Sequence, residues 1–264
     1  MPLIVYTRNN EASAAIAKKL SEIAPRPVIE PLEVKSDSVL EIPTEFDTDC
    51  LIVLSTHRSR EGGPMLTAHF PGNWDKAGMG GEERTLNVAH GTLLKKIITE
   101  LDIVNRRHGL NWPLSIEADH HGPTARVPII FVEIGSTEKE WKDEKAAIVV
   151  AEAVNTAIAK TKNGTGNPKL ETQDSKPVTF FGVGGGHYAK EFTKLVLERD
   201  DFCIGHICPK YAIGSLAEDT FRQAIERSVE PVKRVLVLKE STNASQKKKV
   251  KELCEKHGVA YEEL

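Results

Sequence analysis

The chain has 264 residues, of which 40% are hydrophobic and 28% are charged, and its formal net charge is −3 at pH 7. This length and composition are ordinary for a globular protein with a substantial core, and the small net charge is not typical of a nucleic-acid-binding surface. No apolar run reaches the roughly 20 residues of a membrane helix, and the first residues lack the pattern of a secretory signal peptide. We therefore expect a cytoplasmic protein with no membrane partner.

Strand and helix signals alternate in the first part of the chain. Short apolar runs predict strands at 3–7 and 50–55, and a helical pattern lies near 10–23. Residues 60–84 are rich in glycine and proline and show little periodicity, which predicts a long irregular segment of the kind that often carries function. A single apolar stripe then predicts a helix at 90–108.

The alternation continues to the end of the chain. Strands are predicted at 112–118 and 127–135, with the DHHGPT turn between them, and a long helix is predicted at 138–160. A polar connector follows at 162–177. Beyond it, apolar patterns predict strands and helices in alternation. The strands lie at 178–183, 202–208 and 234–239, and the helices that follow them end near 198, 228 and 257. A short last strand is predicted at VAYEE.

Strands that alternate with helices are typical of α/β proteins. We predict one α/β domain over residues 1–264, a three-layer α/β/α sandwich with a largely parallel sheet that can include an antiparallel strand. The connector at 162–177 is the best candidate for a subdomain boundary. Neither half has enough predicted strands to indicate a separate sheet.

Histidine is the residue type that indicates a site. Open parallel sheets bind their ligands at the carboxyl ends of the strands. Six side chains map to such ends in this sequence, namely His57, His120, His121, Glu133, His187 and His206. A lone histidine in such a place is usually a packed residue, but six groups at one edge favour a site.

Glu133 interrupts the apolar run VPIIFVEIG and is therefore expected to be buried. A buried carboxylate needs a partner, a metal or a proton. It can accept hydrogen bonds from backbone amides, act as a general base, or bind a metal. Neutral imidazoles with one carboxylate suit zinc better than magnesium, although the chain has no HExxH motif.

The loop FGVGGGHY at 181–188 follows a predicted strand and is predicted to open a helix. Its glycines allow backbone amides to approach an anion, which a helix N-terminus also favours. His187 stands where a dinucleotide-binding fingerprint requires glycine, so NAD binding is disfavoured. On the predicted helix His187 and Glu191 share a face, so Glu191 either orients His187 or makes only a solvated contact.

Six longer segments keep one order over most of the chain, and HHGPT and VEIGS are the most specific parts of them. The segments are STHRS (55–59), LTAHFPGN (66–73), EADHHGPT (117–124), VEIGSTEKEW (132–141), FGVGGGHYAKEFT (181–193) and GHICPKYAI (205–213). Together they resemble the archaeal and plant type of D-aminoacyl-tRNA deacylase.

This resemblance implies hydrolysis of the ester between a D-amino acid and the terminal adenosine of tRNA, which is a proofreading step in translation. It also implies a fold similar to those of peptidyl-tRNA hydrolases and nucleoside phosphorylases, with zinc as the cofactor. The expected partner is the acceptor end of aminoacyl-tRNA, and the expected state is a monomer or a weak dimer.

Roles follow from the chemistry of the matched residues. Catalysis is assigned to Glu133, His120, His121 and His187. Zinc ligands are expected among His120, His121, His187, His206 and Glu133. Substrate contacts are assigned to His57, Arg58, His69, Gly184, Gly185, Gly186 and Lys210.

Two other interpretations stay open at this point. A nucleoside phosphorylase or a metal-dependent amidohydrolase would use a similar site, and phosphorolysis would depend on added phosphate. A non-catalytic tRNA-binding module would bind with salt-dependent affinity but without turnover. The histidine cluster and the buried acid count against a binding module, because contacts to phosphates do not need them.

Overall fold

The computed structural model describes residues 1–24, 26–162 and 177–264. Within them the chain forms a mixed α/β structure with two mostly parallel sheets and seven α-helices. The strands are β1 (Pro2–Tyr6), β2 (Leu32–Glu33), β3 (Cys50–Thr56), β4 (Met65–His69), β5 (Leu114–Ile116), β6 (Ile129–Gly135), β7 (Val178–Val183), β8 (Phe202–Cys208), β9 (Val232–Val237) and β10 (Ala260–Glu263). The helices are α1 (Glu11–Ser21), α2 (Gly91–Arg107), α3 (Glu138–Trp141), α4 (Glu144–Lys162), α5 (Lys190–Glu198), α6 (Glu218–Glu226) and α7 (Ala244–His257).

The first sheet has the strand order β2-β1-β3-β6-β4-β5. Its strands pair in parallel except at one place, where β4 runs antiparallel to β6. Because β5 is parallel to β4, the last two strands both run against the other four. Side chains that follow β5 therefore do not emerge at the same edge as those that follow β3 and β6.

The two faces of the first sheet have different surroundings. Successive residues of a strand point to opposite faces, and on β6 the side chains of Ile130, Val132 and Ile134 enter the main apolar core with residues of α1, α2 and α4. Phe131 lies on the other face, in a smaller cluster with residues of the segment 34–42. The helices thus cover one face, and irregular segments cover the other, which also carries Glu133.

The second sheet has the order β10-β9-β7-β8, and all of its pairs are parallel. Helices pack on both of its faces. Phe180 and Ile204 point towards α2 and α5 in the main core, whereas Phe181 and Val235 pack with α6 and α7 in a second cluster. This part of the chain has the predicted three-layer arrangement.

Helix α2 and the segment after β5 join the two sheets. Helix α2 packs against β4 and β5 of the first sheet and against β8 of the second. After β5, the amide of Ala118 donates to the carbonyl of His187 at 2.9 Å, and the amide of Asp119 donates to the carbonyl of Ile207 at 3.2 Å. One apolar core contains residues of both sheets, and the single domain over residues 1–264 stays a prediction.

The α/β class with a largely parallel, mixed sheet is confirmed, and three details differ from the sequence analysis. The four strands predicted after the connector pair with one another in a separate sheet, whereas no separate sheet was expected from the sequence. The segment 60–84 contains the strand β4. The helix predicted at 138–160 is divided into α3 and α4. The boundary proposed in the connector at 162–177 lies, apart from its end residues, outside the described residues.

Among the described residues, none of the helices combines the length and the apolar character that are needed to cross a bilayer.

Glu230 connects the two halves by capping helix α2. Its carboxylate accepts from the amides of Gly91 and Thr92 at 2.9 and 3.0 Å, and it lies 3.0 Å from Nδ1 of His90. These amides belong to the first turn of α2, where no carbonyl within the helix can accept from them. Burial opposes the charge of Glu230, but its contacts with His90 and Thr92 outweigh burial and lower the pKa of Glu230 to about 2.

We predict that Glu230→Gln lowers the free energy of unfolding by about 1–3 kcal/mol at neutral pH, because it removes a charged acceptor from a helix N-terminus. The folded-state pKa of Glu230 lies below its unfolded value, so this stabilisation is complete above the unfolded pKa. It is lost as the pH falls from about 4.5 towards about 2. Urea unfolding of both proteins across this range measures the difference. Exposed Glu226, changed to Gln, is the matched control, and an equal loss in both variants would contradict the capping role.

Candidate active site

Glu133 and His57 lie together on the face of the first sheet that the helices leave uncovered. Glu133 pairs in register with Ser55 of β3 and Thr67 of β4, and its side chain is 4% exposed. His57 follows the end of β3, and its Nδ1 lies 3.5 Å from Oε2 of Glu133. A Cβ atom on Gly135 would lie 2.6 Å from Cδ2 of His57, so only glycine fits beside this ring.

Glu117 is the centre of the cluster, and the sequence analysis gave it no role. Its side chain is fully buried, directly after β5. Oε1 lies 3.1 Å from Nδ1 of His57, and Oε2 lies 2.7 Å from Nε2 of His187 and 3.5 Å from Nε2 of His120. The available signal was the alternation in LSIEA, which places Glu117 on the face opposite to Ile116.

The two buried carboxyl groups have pKa values displaced in opposite directions. Burial and the nearby charge of Glu117 raise the pKa of Glu133. Burial also opposes the charge of Glu117, but His187 and His57 outweigh it and hold the pKa of Glu117 well below its usual range. Burial opposes the charge of His57 as well, yet Glu117 and Glu133 raise the pKa of His57 to about 11. At neutral pH the site therefore holds a carboxylate–imidazolium pair beside a carboxyl group that takes up a proton more readily.

Three further imidazoles pack beside this pair. The ring centroids of His120 lie 4.3 Å from those of both His69 and His121. Burial is the main cause that lowers the pKa of all three, and the pKa of His121 falls to about 3. These rings are therefore neutral at physiological pH, which is the form that binds metals.

The backbone fixes the tautomers of two of these rings. Nδ1 of His120 donates to the carbonyl of Ala118 at 2.9 Å, and Nδ1 of His121 donates to the carbonyl of Gly122. Each ring therefore keeps a lone pair on Nε2. His121 itself has the left-handed backbone conformation, with φ of 49°, and such rarely adopted conformations occur most often at functional sites.

This donor set fits a metal ion. Nε2 of His69 lies 3.2 Å from Nε2 of His121, and Nδ1 of His69 is buried without a partner among the described residues. The ligand atoms of His69, His120 and His121 all lie within 4.8 Å of one another, as do those of a second group that contains Glu117. Backbone carbonyls that accept a hydrogen bond from Nδ1–H are typical partners of histidines that bind metals through Nε2.

Five members of the cluster form the floor of an open cleft of about 600 Å³, whereas Glu117 and His69 are not among its lining residues. The five are His57, His120, His121, Glu133 and His187. His187, which is 34% exposed, and the more deeply buried Glu133 and His57 reach its lining. Arg58 lies on the wall, with its guanidinium carbon 4.6 Å from the ring centroid of Trp141. A substrate in this cleft would therefore meet both acid–base groups and the positive charge of Arg58.

The structure brings most of the predicted residues together but separates His206 from them. Nδ1 of His206 pairs with Asp119, and its Nε2 donates to the carbonyl of Arg227 at 3.0 Å. Both ring nitrogens are thus engaged, so His206 is not available as a metal ligand, and that assignment is corrected. His69, which was predicted only to contact substrate, takes its place in the imidazole group.

The glycine loop also differs from its prediction. The amide of Gly184 donates to the carbonyl of Cys208 at 2.9 Å, and the amide of Gly185 donates to Oγ of Ser241 at 2.7 Å. Two of the three amides are therefore used inside the fold, and only that of exposed Gly186 stays a candidate for an anion. Helix α5 begins at Lys190, so His187 and Glu191 share no helix face, and Glu117 orients His187 instead.

Comparisons with known proteins agree with the α/β fold and identify a family. The D-aminoacyl-tRNA deacylase family model matches residues 44–262. A D-aminoacyl-tRNA deacylase of Ignicoccus hospitalis is 35% identical over 231 residues, which cover 86% of this chain and 87% of that protein. One from Thermococcus onnurineus is 32% identical over 226 residues, covering 85% of this chain and 77% of that protein. A crystal structure of a conserved protein of unknown function superposes with a TM-score of 0.83 at 28% identity, covering 100% of this chain and 95% of the other.

The chain therefore belongs to the D-aminoacyl-tRNA deacylase family.

We predict that the imidazolium of His57 persists throughout the neutral range, because its pKa is raised to about 11 by two buried carboxyl groups. Glu117→Gln removes the charge that lies nearest and should move the pKa of His57 back towards the ordinary value of about 6.5. Imidazole ¹⁵N NMR during a pH titration measures this, with Glu138→Gln, at the rim of the same cleft, as the control. A wild-type His57 that titrates near its ordinary pKa would contradict the ion pair.

Proposed function

We propose that this cleft hydrolyses the ester bond between a D-amino acid and the terminal adenosine of tRNA, releasing the free D-amino acid and the tRNA. Membership of the family supports the substrate class. The observation that carries the site is geometric: two buried carboxyl groups, Glu117 and Glu133, lie 3.1 and 3.5 Å from Nδ1 of His57, among imidazoles that line the cleft. The pKa values of these two carboxyl groups are displaced in opposite directions. Diverging pKa values of neighbouring carboxyl groups are typical of sites that use one as an ionised partner and the other as an acid or base.

Glu133 is the proposed general base. Its raised pKa brings it closer to the working pH, where a carboxylate that takes up a proton is most effective. It receives the proton of the attacking water, and His57 beside it supplies positive charge towards the oxyanion that develops on the ester carbonyl.

His187 is the proposed acid for the leaving ribose oxygen. It is the more exposed partner of Glu117, at 2.7 Å, and it reaches the cleft. A buried carboxylate that holds one nitrogen of an imidazole orients the other nitrogen towards substrate, as in hydrolases that use a histidine–carboxylate pair. Glu117 is thus a positioning residue, and His187 passes the proton.

Zinc is the proposed metal, held by His69, His120 and His121. Neutral imidazoles favour zinc over magnesium or calcium. When bound there, a zinc ion supplies Lewis acidity towards the water and the ester carbonyl. His120 and His121 hold their lone pairs in place through Nδ1–H bonds to backbone carbonyls.

Substrate contacts extend from the cleft. Arg58 on the wall and exposed Lys210 beside the glycine loop supply positive charge for phosphates of the acceptor end. The amide of Lys210 donates to the carbonyl of Gly185 at 3.0 Å, which places this turn next to Gly186. We further propose that the protein is a monomer or a weak dimer and that it is located in the cytoplasm.

We predict that Glu133→Gln lowers the rate of D-aminoacyl-tRNA hydrolysis by about 10²- to 10⁴-fold, because the amide cannot take up a proton. The assay compares matched D- and L-aminoacyl-tRNA, with and without added phosphate. The wild-type protein should hydrolyse the D form selectively and independently of phosphate. The control is Glu138→Gln, at the rim of the cleft.

Thermal unfolding of both variants checks that they fold. A folded Glu133→Gln protein with a near-normal rate would place the base elsewhere. Wild-type binding of tRNA without turnover would indicate a binding module instead.

We predict that the purified protein contains a divalent metal that His121→Ala loses. Elemental analysis after dialysis measures the metal content directly, and a chelator should lower the wild-type rate in parallel with the loss of the ion. His108→Ala changes a histidine that pairs with Glu152, away from the cluster, and should retain the metal. Full activity in metal-free protein would exclude zinc as an essential cofactor.

A further inference from the structure

The segment 75–84, here called the Met79 loop, is held firmly although it is irregular. Nδ2 of Asn73 donates to the carbonyls of Gly80 and Glu82 at 2.9 and 3.1 Å. The base of the loop is closed by a 2.7 Å bond from the amide of Arg84 to the carbonyl of Asp75. These three hydrogen bonds hold the backbone of the loop at its base and against Asn73.

The Met79 loop packs directly against the histidine cluster. The carbonyl of Met79 accepts from the amide of Gly122 at 3.0 Å, and Gly122 is the residue after His121. A Cβ atom on Gly122 would lie 2.3 Å from the amide nitrogen of Gly81, so the two backbones can approach this closely only because a glycine stands there. Gly81 itself has φ of 75°, which favours glycine.

This close packing leaves Met79 in an unusual environment. The residue is 57% exposed, although it lines the cleft that has the cluster at its floor. Leu40 and Val39 line the same cleft, and the Leu40 carbonyl lies 3.0 Å from the Cβ position of Gly80. These three lining residues, here called the apolar wall, lie in the same cleft as Glu133 and the histidines.

None of the residues of the apolar wall has a role in the proposed chemistry. A nucleobase would be held by an aromatic face or by paired hydrogen bonds. Apart from histidines, the one aromatic ring among the described residues that line the cleft is Trp141, and Arg58 covers it. The wall therefore suits an aliphatic or aromatic side chain better than the adenosine.

We propose that Met79, with Leu40 and Val39, binds the side chain of the D-amino acid and sets the preference for large apolar residues. This inference rests on the proposed hydrolysis of D-aminoacyl-tRNA at the same cleft. An ester carbonyl at the cluster places the α-carbon substituent within reach of the cleft walls. Methionine is flexible and polarisable, so one wall adapts to side chains of different shape.

The test compares D-phenylalanyl-tRNA with D-alanyl-tRNA, whose methyl group makes little contact with the wall. We expect Met79→Ala to lower the ratio of kcat/KM for D-phenylalanyl-tRNA over D-alanyl-tRNA about tenfold, through KM, because methylene contacts in such pockets have effects of this size. Met79→Leu, which conserves an apolar side chain of similar volume, should restore most of the ratio. An unchanged ratio, or an equal loss for both substrates, would overturn the proposal.

A second measurement separates this inference from the proposed function. The probes are 3′-deoxy-3′-aminoadenosine that carries D-phenylalanine or D-alanine through an amide, which resists hydrolysis of the ester type. Binding is measured by calorimetry. The proposed role of the apolar wall is supported if Met79→Ala weakens binding of the phenylalanyl probe more than binding of the alanyl probe. The proposal is overturned if the wild-type protein and Met79→Ala bind each of the two probes with the same affinity. If the wild-type protein hydrolyses neither tRNA, the proposed function fails, and the probe affinities alone then decide this inference.

Discussion

The rest of the site depends on a single carboxylate that is sealed from water. Glu117 has no exposed surface, and an isolated charge in such a place costs several kcal/mol or more. The protein offsets this cost with imidazoles on two sides, and the nearest, His57 and His187, come from different sheets. Burial and the charge of Glu117 raise the pKa of Glu133, and the two carboxyl groups together outweigh burial and raise the pKa of His57. The buried charge of Glu117 thus contributes to the protonation of both neighbours.

The reversal of β4 and β5 is what brings these groups together. Since these strands run against β6, Glu117 and His69 reach the middle of the sheet face and not its carboxyl edge. The loop after β7 then approaches from the second sheet, where Glu117 and Tyr188 form an antiparallel bridge and the hydroxyl of Tyr188 lies 2.7 Å from Nε2 of His57. The site is therefore a product of the junction between two sheets, which explains why residues from distant segments are needed to build it.

Much of the fold could be predicted from local patterns, because buried parallel strands are continuous apolar runs and the helices carry clear stripes. Strand β4 was missed, since five residues between glycines and prolines give too short a pattern. Glu133 was predicted as a buried site residue because it interrupts an apolar run. Glu117 was not predicted, because it follows a strand of only three residues, which gives too short a pattern. His206 resembles the other histidines in sequence, and only the contact with Asp119 distinguishes it. The pattern within one strand or helix does not show the direction in which strands pair or which distant segments contact each other. The residues of the site could therefore be predicted better than their arrangement in space.

Infrared spectroscopy of the C=O stretches of Glu117 and Glu133 measures directly whether the pKa values of these two carboxyl groups are displaced in opposite directions. Difference spectra recorded during a pH titration, with Glu117→Gln and Glu133→Gln to assign the bands, follow each group separately. We predict that the Glu117 band keeps the carboxylate frequency well below the usual pKa of glutamate, while the Glu133 band gains the protonated frequency above it. Two bands that titrate together near the ordinary value of about 4.3 would contradict the account.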